Sequence, residues 1–148
     1  MEHNTIKHIT DILESWQFPV LESDESYLLF RYQLHYIQVS VSSGDDPFIA
    51  LNLRNFFPIE TDSEKLVLDK VCNYLNYKLM QLKVYHDPDL NVTISFEFFY
   101  TDPAGIEPLM RRGLSSLITA KREFARLMLE FAPPGEEDDA DDDGKEEE

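Results

Sequence analysis

With one cysteine, five glycines and no long apolar run, this 148-residue chain is limited at once in what it can be. A lone Cys72 cannot form an internal disulfide, and its neighbours Leu68, Val71 and Leu75 at helical spacing mark it as a small core residue rather than a reactive thiol. So few glycines, with no glycine-rich phosphate loop and no Gly-x-Ser-x-Gly elbow, argue against close backbone approach to a cofactor and against that nucleophile arrangement. No stretch approaches the roughly 20 apolar residues of a membrane span, and no basic region followed by an apolar run opens the chain, so no membrane is expected and the location expected is cytoplasmic.

Basic residues are also scarce, at 13 against 29 acids, for a net charge of −16. Residues 136–148 hold ten acids and one lysine, which leaves −7 for the rest. Nucleic-acid affinity rests on Lys and Arg releasing phosphate counterions, so no nucleic acid is expected as partner. Arg111, Arg112, Lys121, Arg122 and Arg126 read as a solvated helix flank. The histidines His3, His8, His35 and His86 include no i, i+4 pair, and neither Asp45-Asp46 nor the Asp138–Asp143 run carries the spaced oxygen ligands and closing Glu of a calcium loop. No catalytic, cofactor-binding or metal-binding residues are assigned, and the chain is read as not an enzyme.

What is present is pattern. In residues 92–100, Val92, Ile94, Phe96, Phe98 and Tyr100 alternate with Thr93, Ser95 and Glu97, the period of a half-buried antiparallel strand. An Asp102-Pro103 junction leads into a helix in which Ile106, Met110, Gly113, Leu117, Ala120, Phe124, Leu127 and Phe131 form one apolar stripe. Upstream, a helix capped near Asn4 or Thr5 carries Ile6, Ile9, Ile12, Leu13 and Trp16 inward and stops before Pro19. Val20 and Leu21 open a short strand. Residues 27–32 and 36–42 form a hairpin, and Ser43-Gly44-Asp45-Asp46-Pro47 turns the chain into a strand from Phe48 to Leu53. Thr61 and Glu64 make a capping box for a helix ending about Met80, followed by a strand from Leu82 to Tyr85. The expectation is an α+β domain over residues 1–132, α-β-β-β-α-β-β-α, with an antiparallel sheet of about five strands and helices on one face. Residues 133–148, opening with Pro133-Pro134-Gly135, are expected to be an acidic disordered tail.

Leu28-Leu29-Phe30-Arg31-Tyr32, Asp45-Asp46-Pro47-Phe48, Asn73-Tyr74-Leu75-Asn76 with Lys78, Lys83-Val84-Tyr85, and Leu117, Ala120 and Phe124 in the closing helix resemble the YbjN-like bacterial family, placed in the type III secretion chaperone-like fold. The likeness runs over nearly all of residues 4–131. It implies a compact α+β domain, often a homodimer, that holds a partner polypeptide against its sheet or helix surface.

Aromatics are the functional lead. Phe99 breaks the polar face of its strand, so it is expected to meet a second subunit, the Phe56-Phe57 loop or a ligand peptide. Phe99, Phe56, Phe57 and Tyr100 are therefore the candidate partner-binding residues. The function expected is non-enzymatic protein binding, as a chaperone-like or adaptor domain presenting a sheet face or helical groove to a protein partner, as a homodimer and without a cofactor. The alternative is a regulatory module that binds a small molecule in a pocket.

Overall fold

The structure, a computed structural model, describes residues 4–42, 45 and 47–132. The turn residues Ser43, Gly44 and Asp46 and the acidic segment 133–148 lie outside the described residues. Helix α1 (Thr5–Ser15) is capped by Asn4, whose side chain accepts the Lys7 N–H at 3.0 Å, and buries Ile6, Ile9, Ile12 and Leu13. It ends in a Schellman motif: Phe18 N–H donates to the Leu13 carbonyl and Gln17 N–H to the Glu14 carbonyl, with Gln17 left-handed at φ 66° where glycine is usual.

Six strands follow the expected order: β1 (Val20–Ser23), β2 (Tyr27–Tyr32), β3 (His35–Ser42), β4 (Phe48–Arg54), then, after helix α2 (Asp62–Lys78), β5 (Leu82–His86) and β6 (Val92–Phe99). They form one antiparallel sheet in the order β1-β2-β3-β4-β6-β5. The sequence suggests about five strands, beside a short one opened by Val20 and Leu21; that short one is β1, a full member of the sheet, whose pairing with β2 is bulged between Val20 and Glu22. The capping box of α2 is present, with Glu64 N–H donating to Thr61 Oγ1 at 3.0 Å and Thr61 N–H to Glu64 Oε1 at 3.1 Å. A single 3₁₀ turn (Pro103–Gly105), capped by Asp102, precedes α3 (Ile106–Phe131), whose 26 residues run for about 39 Å.

All three helices pack on one side of the sheet. The inward residues Leu28, Phe30, Ile37, Val39, Ile49, Leu51, Leu53, Val84, Ile94, Phe96 and Phe98 join Ile9 and Leu13 of α1, Leu68, Val71 and Leu75 of α2, and Leu117 and Phe124 of α3 in one core. Cys72 belongs to that core, where burial, with Asp69 adding to it, pushes its thiol up to about 11. α3 comes closest to the sheet at Gly113, where an added Cβ would stand 2.6 Å from Phe96 Cδ2 and 2.7 Å from Leu51 Cδ1.

Candidate functional site

The period of two that feeds the core leaves the alternate residues of every strand on the opposite side of the sheet, and none of the described helices lies there. Register places these residues in rows across the sheet. Ser42, Phe48 and Phe99 form the first row, and Tyr27, Ser40, Ala50 and Glu97 the second. A third row crosses all six strands through Glu22, Leu29, Gln38, Asn52, Ser95 and Lys83. The far end carries the paired Arg31 and Tyr36, and Arg54, Thr93 and Tyr85 side by side across β4, β6 and β5. The surface thus has a polar centre between two aromatic ends, roughly 20 Å apart along β4.

Phe99 is 70% exposed and touches one ring, that of Phe48, edge-on at 5.9 Å. Tyr36 and Tyr85 at the other end are exposed at 58% and 43%. Between them, Ser95 Oγ donates to Glu97 Oε2 at 3.0 Å, Lys83 Nζ pairs with the same oxygen at 3.2 Å, and the Arg54 guanidinium donates to Gln38 Oε1 at 3.3 Å. The Tyr27 hydroxyl bonds to Glu22, and its pKa is raised, first by burial and then by that carboxylate. Arg31, Arg54 and Lys83 outnumber Glu22 and Glu97, so the face is mildly positive on a chain of net charge −16. Such a face can anchor aromatic or aliphatic side chains at its ends and exchange hydrogen bonds in its middle.

The sequence-derived residues are divided by the structure. Phe56 and Phe57 follow β4 at the end opposite Phe99 and turn to the helix side, edge-on to Phe124 at 5.1 and 5.2 Å. Of the three encounters expected for Phe99, the one with the Phe56-Phe57 loop is therefore not made. Its cause is the antiparallel register: Phe48 pairs with Phe99, so the loop after Arg54 emerges at the far end of the same strand. Tyr100 also faces the helices, and its hydroxyl lies 2.7 Å from Thr5 Oγ1, tying the end of β6 to α1. Arg31, Lys83 and Tyr85 belong to segments that carry the family resemblance, but neither they nor Arg54 are among the partner-binding candidates read from the sequence. The signal was the parity of β5, in which Lys83 and Tyr85 alternate with the core-facing Leu82 and Val84.

The described histidines are dispersed. His8 Nε2 lies 3.1 Å from the Pro103 carbonyl, and His35 Nε2 accepts from Lys121 Nζ at 2.8 Å. Burial, and then the Lys121 charge, lower the His35 pKa, with the Tyr32 carbonyl pulling the other way. His86 places Nδ1 2.8 Å from the Asp87 carbonyl and Nε2 2.7 Å from Asp69 Oδ1, and both bonds together require the imidazolium, so its pKa is raised. Among the described residues no group of three or more His, Cys, Asp or Glu side chains is arranged to hold a metal, and no helix is long and apolar enough to cross a membrane.

No family model matches the sequence, and no curated protein matches it. Solved structures do. An uncharacterized protein from Methanothermobacter thermautotrophicus superposes with a TM-score of 0.58 at 13% identity, over 86% of this chain and 99% of that one. YbjN from E. coli, described as a candidate transcription regulator, superposes with a TM-score of 0.54 at 11% identity, over 84% of this chain and 89% of its own. The fold is YbjN-like. That agrees with the sequence resemblance, and at these identities the likeness concerns the fold.

Proposed function

We propose that this chain is a non-enzymatic protein-binding domain, chaperone-like or adaptor in kind, that receives a segment of a partner polypeptide on its uncovered sheet face. The observation that carries the reading is Phe99: a large apolar side chain, 70% exposed, set on the side of the sheet that no described helix covers. Aromatic anchors around a hydrogen-bonding centre suit an extended or amphipathic segment laid across the strands. In this reading residues 1–132 are the binding domain and 133–148 an acidic extension that keeps it soluble, the domain works in the cytoplasm, and a homodimer arises when a second copy occupies the same face.

The test pairs a binding assay with a stability control. The full chain is expected to slow the aggregation of reduced insulin followed by turbidity, and Phe99→Ser to lose most of that effect with its thermal midpoint unchanged. Light scattering on the same two proteins reads the dimer, which Phe99→Ser is expected to weaken. A wild-type chain that neither suppresses aggregation nor self-associates overturns the reading. So does a Phe99→Ser protein that unfolds, since Phe99 would then be a core residue.

A further inference from the structure

On the other side of the sheet, the end of α1, the end of β2 and the first half of α3 enclose a slot of about 280 Å³ lined by Trp16, Phe18, Tyr32, Leu114 and Arg111. Its aromatic rings are mutually braced: Phe18 stands edge-on to Trp16 at 6.0 Å and to Tyr32 at 5.1 Å. Trp16, Phe18 and Tyr32 are each half-buried. Two non-glycine residues in left-handed conformation flank these rings, Gln17 at φ 66° and Gln33 at φ 56°. Ligand sites for whole small molecules usually span roughly 300–1,000 Å³, so this slot is sized for one side chain.

Arg111 is also a wall of a second, polar hollow of about 610 Å³, lined by Glu107, Pro108, Arg112, Ser115 and Ser116. The guanidinium of Arg111 lies 4.5 Å over the Trp16 ring, and its contact with Glu107, which also accepts the Trp16 indole N–H at 3.1 Å, is long at 3.5 Å and exposed. Residues 108–122 contain Arg111, Arg112, Lys121 and Arg122 and no acid, in a chain of net charge −16. Arg112 and Arg122 are exposed and make no ion pair among the described residues.

We propose that this slot and basic flank form a second peptide site, taking an acidic segment of a partner polypeptide that carries one bulky apolar side chain. The apolar side chain enters between Trp16, Phe18 and Tyr32, and the acids beside it pair with Arg111 and Arg112. Charge complementarity selects the acidic partner. The chain's own acidic segment does not supply the anchor, because residues 136–148 contain no apolar side chain larger than Ala140. This site shares no residue with the sheet face and stands independently of the function proposed there.

Trp16 is the chain's single tryptophan, so its emission reports the slot directly. The probe is an acetylated heptapeptide of six acids around a central leucine, titrated into the full chain at low salt and compared with the same peptide carrying alanine. The expected result is a saturable change in Trp16 emission, at least tenfold weaker affinity for the alanine peptide, and at least tenfold weaker affinity for leucine peptide in Arg112→Glu, an exposed change that leaves the core alone. Phe99→Ser is expected to bind as wild type does, which separates this site from the sheet face. No emission change together with no heat of binding by calorimetry overturns the proposal. Equal affinity for the two peptides overturns it as well, since binding would then be purely ionic, and so does loss of binding in Phe99→Ser alone.

Discussion

Asn76 of α2 holds the backbone of Val84 with both atoms of its side-chain amide: Nδ2 donates to the Val84 carbonyl at 2.9 Å, and Oδ1 accepts the Val84 N–H at 2.8 Å. Val84 lies in β5, an outermost strand of the sheet, and both its backbone groups point away from β6. The amide takes the place of a neighbouring strand at that point, and so blunts an edge that could otherwise pair with another chain.

Asn76→Ala removes both bonds and leaves a half-buried N–H and C=O without partners. A loss of about 1–3 kcal/mol is expected, read from urea denaturation, with faster amide exchange at Val84 than at its β6 partner Ile94. An unchanged urea midpoint would show that water replaces the amide at no cost.

Gly113→Ala tests the closest approach of α3 to the sheet. Alanine favours a helix over glycine by about 1 kcal/mol, yet its Cβ would stand 2.6 Å from the ring of Phe96 and 2.7 Å from a methyl of Leu51, both fully buried. Overpacking of this kind costs about 1–3 kcal/mol, so a net fall in thermal midpoint is expected. A rise would mean that the Phe96 ring has room to move.

The legible parts of this fold are those set by local pattern. The stripe from Ile106 to Phe124 and the Thr61–Glu64 box each needed one segment, and each is found as read. The alternation of residues 92–100 is found in which way the residues face, but Thr93 and Ser95, which the half-buried pattern places toward solvent, are buried at 6% and 0% exposure, leaving Glu97 the exposed polar residue of that face. β1 was hard to read because only Val20 of its four residues is even partly buried. Phe99 was legible as a break in parity. Phe56 and Phe57 were not, since their burial depends on α3 crossing the end of β4 and presenting Phe124 to both rings. The slot around Trp16 has no sequence signature either, because three separate segments converge there.

Phe124→Ala would remove the fully buried ring against which Phe56 and Phe57 lean. The expected cost is about 3–5 kcal/mol, large enough to be measured as a shift of many degrees in thermal midpoint. Phe99, at 70% exposure, is expected to shift stability by less than about 0.5 kcal/mol when changed to Ser. The two variants together separate aromatics that hold the fold from an aromatic that faces outward, and equal losses would contradict that division.

The two histidines His35 and His86 make opposite contributions to the dependence of stability on pH. For His86 the bonds to the Asp87 carbonyl and Asp69 raise the folded value above the ordinary 6.5, so its stabilisation is complete below about 6.5 and is lost as pH rises through the folded value. For His35 burial and Lys121 lower the folded value below 6.5, so stability is complete above about 6.5 and is lost as pH falls toward the folded value. His86→Gln should therefore abolish a decline on the alkaline side while leaving the acid side unchanged. His35→Gln should abolish part of the decline on the acid side and leave the alkaline side unchanged. Urea midpoints of both variants and wild type, taken across about pH 5 to 8.5, read the two effects separately. The reverse pattern, with His86→Gln altering only the acid side, would mean that the imidazole is neutral when bonded to Asp87 and that Asp69 Oδ1 is not its charged partner.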